Sequence, residues 1–325
     1  MKSKILSILK HGGSGFISGQ EISQKFGITR AAVWKYMKQL QNEGYTIEST
    51  PRNGYKLTAC PDILTYDEIF ENLKTQYIGR KMIHYHSIGS TNDKARELAE
   101  SGEPEGTVVI SERQTNGRGR FGRKWLSETA KGILMSIILK PNIDMSSVTL
   151  VTQIGCASVG SAVDRLTNHV KIKWPNDILV NGKKICGILT ESAGELDKTD
   201  YVILGIGINV NQAESELPES LSATSTSLKI EMKKEISRQR LVSDILNRFE
   251  NQYQKMQERQ NVNEALDFCR THSNIIGKNI LLKRNGRQSK AQAMDLNNQG
   301  QLVVRYKDGT CENISSADIL STLDI

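Results

Sequence analysis

The 325-residue sequence holds five cysteines, and no two form a C-x-x-C pair. Cys60, Cys156, Cys186, Cys269 and Cys311 are scattered, and an odd number leaves one unpaired. That argues against a disulfide framework and for reduced thiols, hence a cytoplasmic location. Long apolar runs are also missing. The longest, Gly132–Leu139, is far too short to span a bilayer, so no membrane association is expected. Met1–Gly13 carries only the short stretch Ile5-Leu6-Ser7-Ile8-Leu9 and no small-residue cleavage site, so a signal peptide is not expected. Neither H-R-D nor D-F-G occurs, which excludes a protein kinase. No internal repeat or low-complexity segment is present. What remains is a globular composition, 38% hydrophobic and 24% charged, long enough for two or three domains.

The formal net charge of +7 is unevenly spread. Residues 1–65 contain nine Lys/Arg against Glu21, Glu43, Glu48 and Asp62, a balance of +5 in a fifth of the chain. A small basic module on a nearly neutral body points to nucleic acid. Its pattern agrees. Ser18 can cap a short helix carrying Ile22 and Phe26, Gly27-Ile28 breaks it, and Thr29 can cap a second helix with Val33, Met37 and Leu40 on one face. Gly44 stops that helix. Tyr45–Ser49 and Tyr55–Leu57 read as strands around Pro51-Arg52-Asn53-Gly54, a turn with a basic tip. Helix, turn, helix and wing predict a winged helix-turn-helix. Its second helix would offer Arg30, Trp34, Lys35 and Lys38 to the major groove of operator DNA, with Arg52 on the wing. The bland alternative is a helical interaction module that never touches DNA.

Cys60-Pro61-Asp62 marks a linker. Beyond it strands and helices interleave: strands over 82–88, 107–111, 133–140, 170–174 and 201–210, and helices over 92–100, 146–166 and 238–257. Asn181-Gly182 is a type I′ hairpin signal. This predicts an α+β domain with a mixed sheet. After Gly277, Asn285-Gly286, Asn298-Gln299-Gly300 and Asp308-Gly309 separate short strands, which predicts a small all-β barrel ending near Ile325. The expected domains are 1–62, 63–275 and 276–325.

Chemistry concentrates in Gly117-Arg118-Gly119-Arg120-Phe121-Gly122-Arg123-Lys124-Trp125. Glycines let backbone N–H groups approach a ligand, and arginines present forked cationic donors to phosphate or carboxylate. Four cations this close repel one another unless an anion offsets them. The G-x-G-x-x-G spacing matches a dinucleotide fingerprint, but Arg123-Lys124-Trp125-Leu126-Ser127 is a poor start for the apolar helix that motif needs. A solvated basic loop is the bland alternative. Four further clusters look chemical. Ser90-Thr91-Asn92 sits between strand and helix, where an ordinary N-cap would also account for it. Lys173-Trp174-Pro175-Asn176-Asp177 ends a strand in a proline bend. Lys183-Lys184 opens a strand, an odd place for two cations unless one meets an anion. Gly205-Ile206-Gly207-Ile208-Asn209 is a strand with two glycines, as if a flat ligand approached its backbone. His84 and His86 alternate on one strand with no third metal ligand nearby, and Phe121 reads as a hydrophobic anchor.

Together, and in this order, these clusters resemble the biotin protein ligases, in particular the bifunctional kind that also represses the biotin operon. The resemblance covers the whole chain and implies a winged helix-turn-helix, a central α+β ligase domain and a C-terminal SH3-like β-barrel. It implies ATP-dependent activation of biotin to biotinyl-5′-AMP, then transfer to a lysine of a biotin carboxyl carrier protein. By resemblance, Ser90, Thr91, Asn92, Gln114, Arg118, Gly119, Arg120, Trp125 and Lys184 hold biotin. Arg120, Arg123, Asn176, Asp177 and Asn209 face the nucleotide, and Asp177 is a Mg²⁺ ligand. Lys184, Arg118 and Arg120 are the implied catalytic cations. Repression with the adenylate as corepressor implies a homodimer when adenylate is bound. A lipoate-type ligase and a repressor whose enzyme domain is only a sensor are the alternatives.

Overall fold

The computed structural model describes residues 1–11, 15–127, 130–259, 261–284 and 286–323. Asn285 of the Asn285-Gly286 turn signal, and the last two residues of the expected barrel, lie outside the described residues. The chain divides into two compact units, Met1–Ile63 and Leu64–Ile325.

The first unit comprises α1 (Lys2–His11), α2 (Gly19–Phe26), α3 (Arg30–Asn42) and the antiparallel hairpin β1 (Thr46–Thr50)–β2 (Gly54–Ala59). Ser18 Oγ accepts from the Glu21 N–H at 3.0 Å and Thr29 Oγ1 from the Ala32 N–H at 3.1 Å, so both N-caps form as their sequence signals require. Gly27 closes α2 at φ +63, a left-handed conformation that favours glycine. Ile22, Val33, Met37 and Leu40 pack with Ile5, Leu6 and Leu9 of α1. The apolar stretch in 5–9 is therefore one face of a core helix.

The second unit opens with α4 (Tyr66–Ile69). It continues through β3 (Met82–Tyr85), α5 (Thr91–Glu100), β4 (Val108–Ser111), β5 (Ile133–Leu139), α6 (Val148–Thr167), β6 (Val170–Lys173), β7 (Asp177–Val180), β8 (Lys183–Glu195) and β9 (Lys198–Ile208). Its seven strands form one sheet in the order β3-β4-β5-β9-β8-β7-β6. Only β3 and β4 run parallel, so the sheet is mixed. Strand alternation sends Ile133, Met135, Ile137 and Leu139 into the main core, while Ile138 joins Val109 and Ile203 against Ala95 and Ala99 of α5. The β7–β8 turn has Asn181 and Gly182 both at positive φ, as a type I′ hairpin demands.

Helices α7 (Leu228–Met232), α8 (Arg238–Arg259) and α9 (Asn263–Thr271) follow. Then β10 (Asn279–Arg284), β11 (Arg287–Leu296), β12 (Leu302–Arg305), β13 (Cys311–Ile314) and β14 (Asp318–Leu323) build a five-stranded antiparallel sheet in the order β13-β12-β11-β10-β14. Its Ile280, Leu282, Leu302 and Val304 belong to the same core cluster as the large sheet. Residues 145–167 have the length and hydropathy of a membrane span, but most of that stretch is buried inside the unit, where α6 serves as a core helix.

A buried ion pair fixes the start of this unit. Glu112 binds Arg238 Nη1 at 2.8 Å and His84 Nε2 at 2.9 Å, and accepts from the Leu64 N–H at 2.7 Å. The Arg238 side chain is fully buried. His84 is thus a partner of Glu112, and the described residues contain no cluster of three metal-ligating side chains.

Candidate active site

The floor of the site is the paired strands β8 and β9, where Gly187 faces Gly207 in register. A Cβ on Gly207 would lie 2.7 Å from the Trp125 ring, and one on Gly187 would lie 3.1 Å from it. A Cβ on Gly205 would sit 2.1 Å from Asn92 Oδ1. The expectation that Gly205 and Gly207 admit a flat ligand is therefore corrected. Gly205 makes room for a carboxamide of the fold, and the flat group over Gly207 is the protein's own indole.

Ser90, Thr91 and Asn92 are all buried. Ser90 Oγ caps α5 by accepting from the Asp93 N–H at 3.3 Å, the ordinary role weighed for this triplet. The Thr91 N–H and hydroxyl both donate to Gln114 Oε1, at 2.6 and 2.9 Å. Asn92 Nδ2 donates to Glu191 Oε2 at 2.7 Å, and its Oδ1 accepts from Ser136 at 2.6 Å. Asn92 thus ties α5 to the sheet.

The glycine–arginine loop is a narrow hairpin. The Trp125 N–H donates to the Gly117 carbonyl at 2.9 Å, and the Gly119 N–H to the Arg123 carbonyl at 2.7 Å. Gly117 is required there, since a Cβ would lie 2.6 Å from the Trp125 carbonyl oxygen. Phe121 sits at φ +57, a region unfavourable for a bulky residue, and is 66% exposed. It is not a hydrophobic anchor. Its ring instead lies 4.8 Å from the Arg120 guanidinium.

Protein carboxylates hold two of the loop's cations. Arg118 pairs with Asp93 at 2.5 Å and Glu191 at 3.5 Å, and Arg123 pairs with Asp318. Arg120 donates to Asn176 Oδ1 at 3.2 Å and to Ser316 Oγ at 2.7 Å. Burial lowers the pKa of Arg120, Asp177 and Asp318 oppose that shift, and Arg123 adds to it.

Opposite the loop, buried Trp174 donates its indole N–H to the Gly300 carbonyl at 3.1 Å. The Trp174–Pro175 peptide is cis, and the Pro175 carbonyl accepts from Gln153 at 2.9 Å. That anchorage presents Asn176, whose Nδ2 donates to the Ile188 carbonyl at 2.8 Å, and Asp177, which pairs with Lys184 Nζ at 2.6 Å. Lys184 Nζ also lies 5.7 Å from the Trp125 ring centre. Lys183 points away, donating to the Ser222 carbonyl at 3.2 Å. Asn209 Nδ2 donates to the Thr226 carbonyl at 3.1 Å.

These elements enclose one cavity of about 620 Å³. Every residue named from the sequence for biotin or nucleotide lines it: Ser90, Thr91, Asn92, Gln114, Arg118, Gly119, Arg120, Arg123, Trp125, Asn176, Asp177, Lys184 and Asn209. Three stretches of its wall carried no sequence signal: 216–225, Asn274-Ile275, and Ala317 to Thr322 of the C-terminal sheet. Burial pushes the thiols of Cys156, Cys186 and Cys269 up, the last to about 12, so none of these three serves as a nucleophile. A single carboxylate already held by a lysine does not make a resident metal site. A magnesium ion brought in by a nucleotide would meet Asp177 as its protein carboxylate, in competition with Lys184.

On the first unit, Arg30, Trp34, Lys35 and Lys38 are exposed along α3, and Arg52 is exposed at the β1–β2 turn. None of these four cations is ion-paired within the described residues. Lys38 Nζ lies 5.8 Å from the Trp34 ring centre.

A helix-turn-helix unit followed by a mixed sheet with a cation-rimmed polar cavity defines a DNA-binding enzyme of the biotin/lipoate ligase class. Residues 85–209 match the model of the Biotin/lipoate A/B protein ligase family, and residues 2–56 match an HTH domain. More particularly, the chain is 37% identical to the bifunctional ligase/repressor BirA of Bacillus spizizenii over 98% of both chains, and it belongs to that bifunctional ligase/repressor family. Among solved structures it is similar to the biotin protein ligase of Aquifex aeolicus in complex with biotin and ATP. There the TM-score is 0.63 and the identity 28%, over 74% of this chain and 98% of that one. The Leishmania major biotin protein ligase in complex with biotinyl-5-AMP aligns with a TM-score of 0.51 and 25% identity, over 73% and 99%.

Proposed function

We propose that the 620 Å³ cavity is where this chain carries out both steps of protein biotinylation, and that Lys184 is its principal catalytic cation. The protein is a biotin protein ligase and a DNA-binding repressor. In the first step the biotin carboxylate attacks the α-phosphate of ATP; a C–O–P bond forms and pyrophosphate leaves. In the second, the amine of an acceptor lysine attacks the acyl carbon of biotinyl-5′-AMP. An amide forms, the amine loses a proton and AMP leaves. Both partners of the first step are anions, so fixed cations must offset charge that grows as they approach.

One observation carries the assignment: Lys184 stands on the cavity floor, already directed by Asp177 and covered by Trp125, within the rim formed by Arg118, Arg120 and Arg123. Such preorganisation spares the lysine from reorganising during reaction. Ser90, Thr91, Asn92, Gln114, Gly119 and Trp125 shape the biotin end. Asn176, Asp177, Asn209, Arg120 and Arg123 shape the nucleotide end, with Mg²⁺ entering on the triphosphate. The lipoate alternative is tested by calorimetric titration with biotin, lipoate and octanoate: tight binding of biotin alone supports this reading, and preference for either other acid overturns it.

The finer organisation belongs to the same reading. Residues 276–325 form an SH3-like module set on the 63–275 ligase region, and residues 1–62 are a winged helix-turn-helix. Arg30, Trp34, Lys35, Lys38 and Arg52 meet operator DNA as a homodimer when biotinyl-5′-AMP is bound. The acceptor is a biotin carboxyl carrier protein in the cytoplasm, where the free thiols of all five cysteines would persist. Carrier that accepts biotin consumes the corepressor, so repression lifts when unbiotinylated carrier is abundant.

A further inference from the structure

The most exposed aromatic side chain among the described residues of the first unit is out of place for a globular module. Trp34 is 56% exposed in the middle of α3, whose opposite face, Val33, Met37 and Leu40, is fully committed to the core. It has apolar company one turn earlier in exposed Ala31, and the two form a short stripe at i, i+3 spacing. Cations flank the stripe: Arg30 beside Ala31, Lys35 beside Trp34, and Lys38 over the indole face at 5.8 Å. A phosphate-binding face needs the cations, but an indole between them adds only one N–H donor and leaves a large apolar ring to be covered. In the major groove the base edges offer donors and acceptors everywhere and an apolar group at one place, the 5-methyl of thymine.

We propose that the Ala31–Trp34 stripe reads thymine methyl groups in each operator half-site, so that Trp34 is a specificity-determining residue, while Lys35 and Lys38 hold the flanking backbone. This rests on the reading of α3 as the recognition helix and deepens it. Lys38 is placed to act twice: its ammonium lies against the indole face, which fixes the ring plane, and remains free to meet a phosphate.

The test uses the full chain with biotin and ATP present. Duplexes enriched from a randomised pool provide the probe, and each thymine of the enriched duplex is then replaced by deoxyuridine, which removes only the methyl. Fluorescence anisotropy should show a loss of about 3- to 5-fold at one or two positions per half-site, the size expected when a single methyl stops being buried. Trp34→Ala, at an exposed position that leaves the core intact, should bind the thymine duplex and at least one of the penalised deoxyuridine duplexes equally. Lys35→Ala should weaken both equally while keeping the deoxyuridine penalty. The inference is overturned if every deoxyuridine duplex binds the wild-type chain as tightly as thymine DNA. Retention of every penalty by Trp34→Ala also overturns it, as would protection of Trp34 by a second copy of the chain. A pool in which no sequence is enriched would instead overturn the recognition-helix reading itself, and this inference with it.

Discussion

The two basic surfaces of this protein handle charge in opposite ways. On α3 and its wing, Arg30, Lys35, Lys38 and Arg52 stand in solvent with no carboxylate partner among the described residues. Around the cavity, Arg118, Arg123 and Lys184 are each paired with a carboxylate of the fold: Asp93 and Glu191, Asp318, and Asp177. An unpaired cation can neutralise a phosphate and so release the counterions condensed on a polyanion, at no cost in broken contacts. A paired one is aimed before its ligand arrives, and the ligand must compete with the resident carboxylate. The first arrangement suits an extended phosphate backbone; the second suits a small anion held in one pose.

Removing residues 1–63 separates the surfaces most drastically. Operator binding should be abolished while the remaining unit, which has its own core, keeps adenylation. Specific DNA binding by the truncated chain would break the division of labour.

A second contrast lies in the cores. The described core of the first unit is built from apolar side chains, whereas the second buries Glu112 with Arg238 and His84. Burial alone would raise the Glu112 pKa, but the His84 hydrogen bond and the Arg238 charge outweigh it and hold the group below its ordinary value. A depressed carboxylate pKa stabilises the fold above the unfolded pKa, and that stability is lost as pH falls through the folded value. The second unit should therefore lose stability below the ordinary carboxylate range, and Glu112→Gln should flatten that part of its profile. Because the variant removes one carboxylate partner of the buried Arg238, it should also lower stability near neutrality. Denaturant titrations from pH 3 to pH 7 check both; an unchanged midpoint would remove the pair from the account.

At the cavity, Lys184→Ala should slow adenylate formation by about 10²–10³ with little change in stability, read as pyrophosphate release and thermal midpoint. Near wild-type release would move the catalytic cation elsewhere.

Local chemistry made much of this legible in the sequence. Ser18 and Thr29 cap helices, Gly27 ends one and Asn181-Gly182 turns a hairpin, because each acts within four residues of itself. The cavity's polar residues were legible because their clusters keep one order along the chain. Contacts across long separations were not. Nothing near Arg123 announces Asp318, and nothing near Glu112 announces Arg238, since such partners meet only when the sheet and the C-terminal strands have packed. Gly205 and Gly207 were misread for the same reason: a missing Cβ shows that something approaches, and only the fold shows that it is Asn92 and Trp125.

The smallest expected single effect concerns individual cations of α3. Lys35→Ala should weaken DNA binding evenly across sequences and flatten its salt dependence by about one log–log unit. The equivalent change at Arg123, already paired with Asp318, should leave that slope untouched.

The measurement that bears most directly on the contrast is one salt titration of the intact protein, following operator binding and binding of a non-hydrolysable biotinyl-adenylate analogue side by side. With four unpaired cations meeting phosphates, the DNA slope should be about −3 to −4 per recognition unit. The adenylate slope should be far shallower, because Arg118, Arg123 and Lys184 are already neutralised by carboxylates of the fold. Equal slopes would contradict the account.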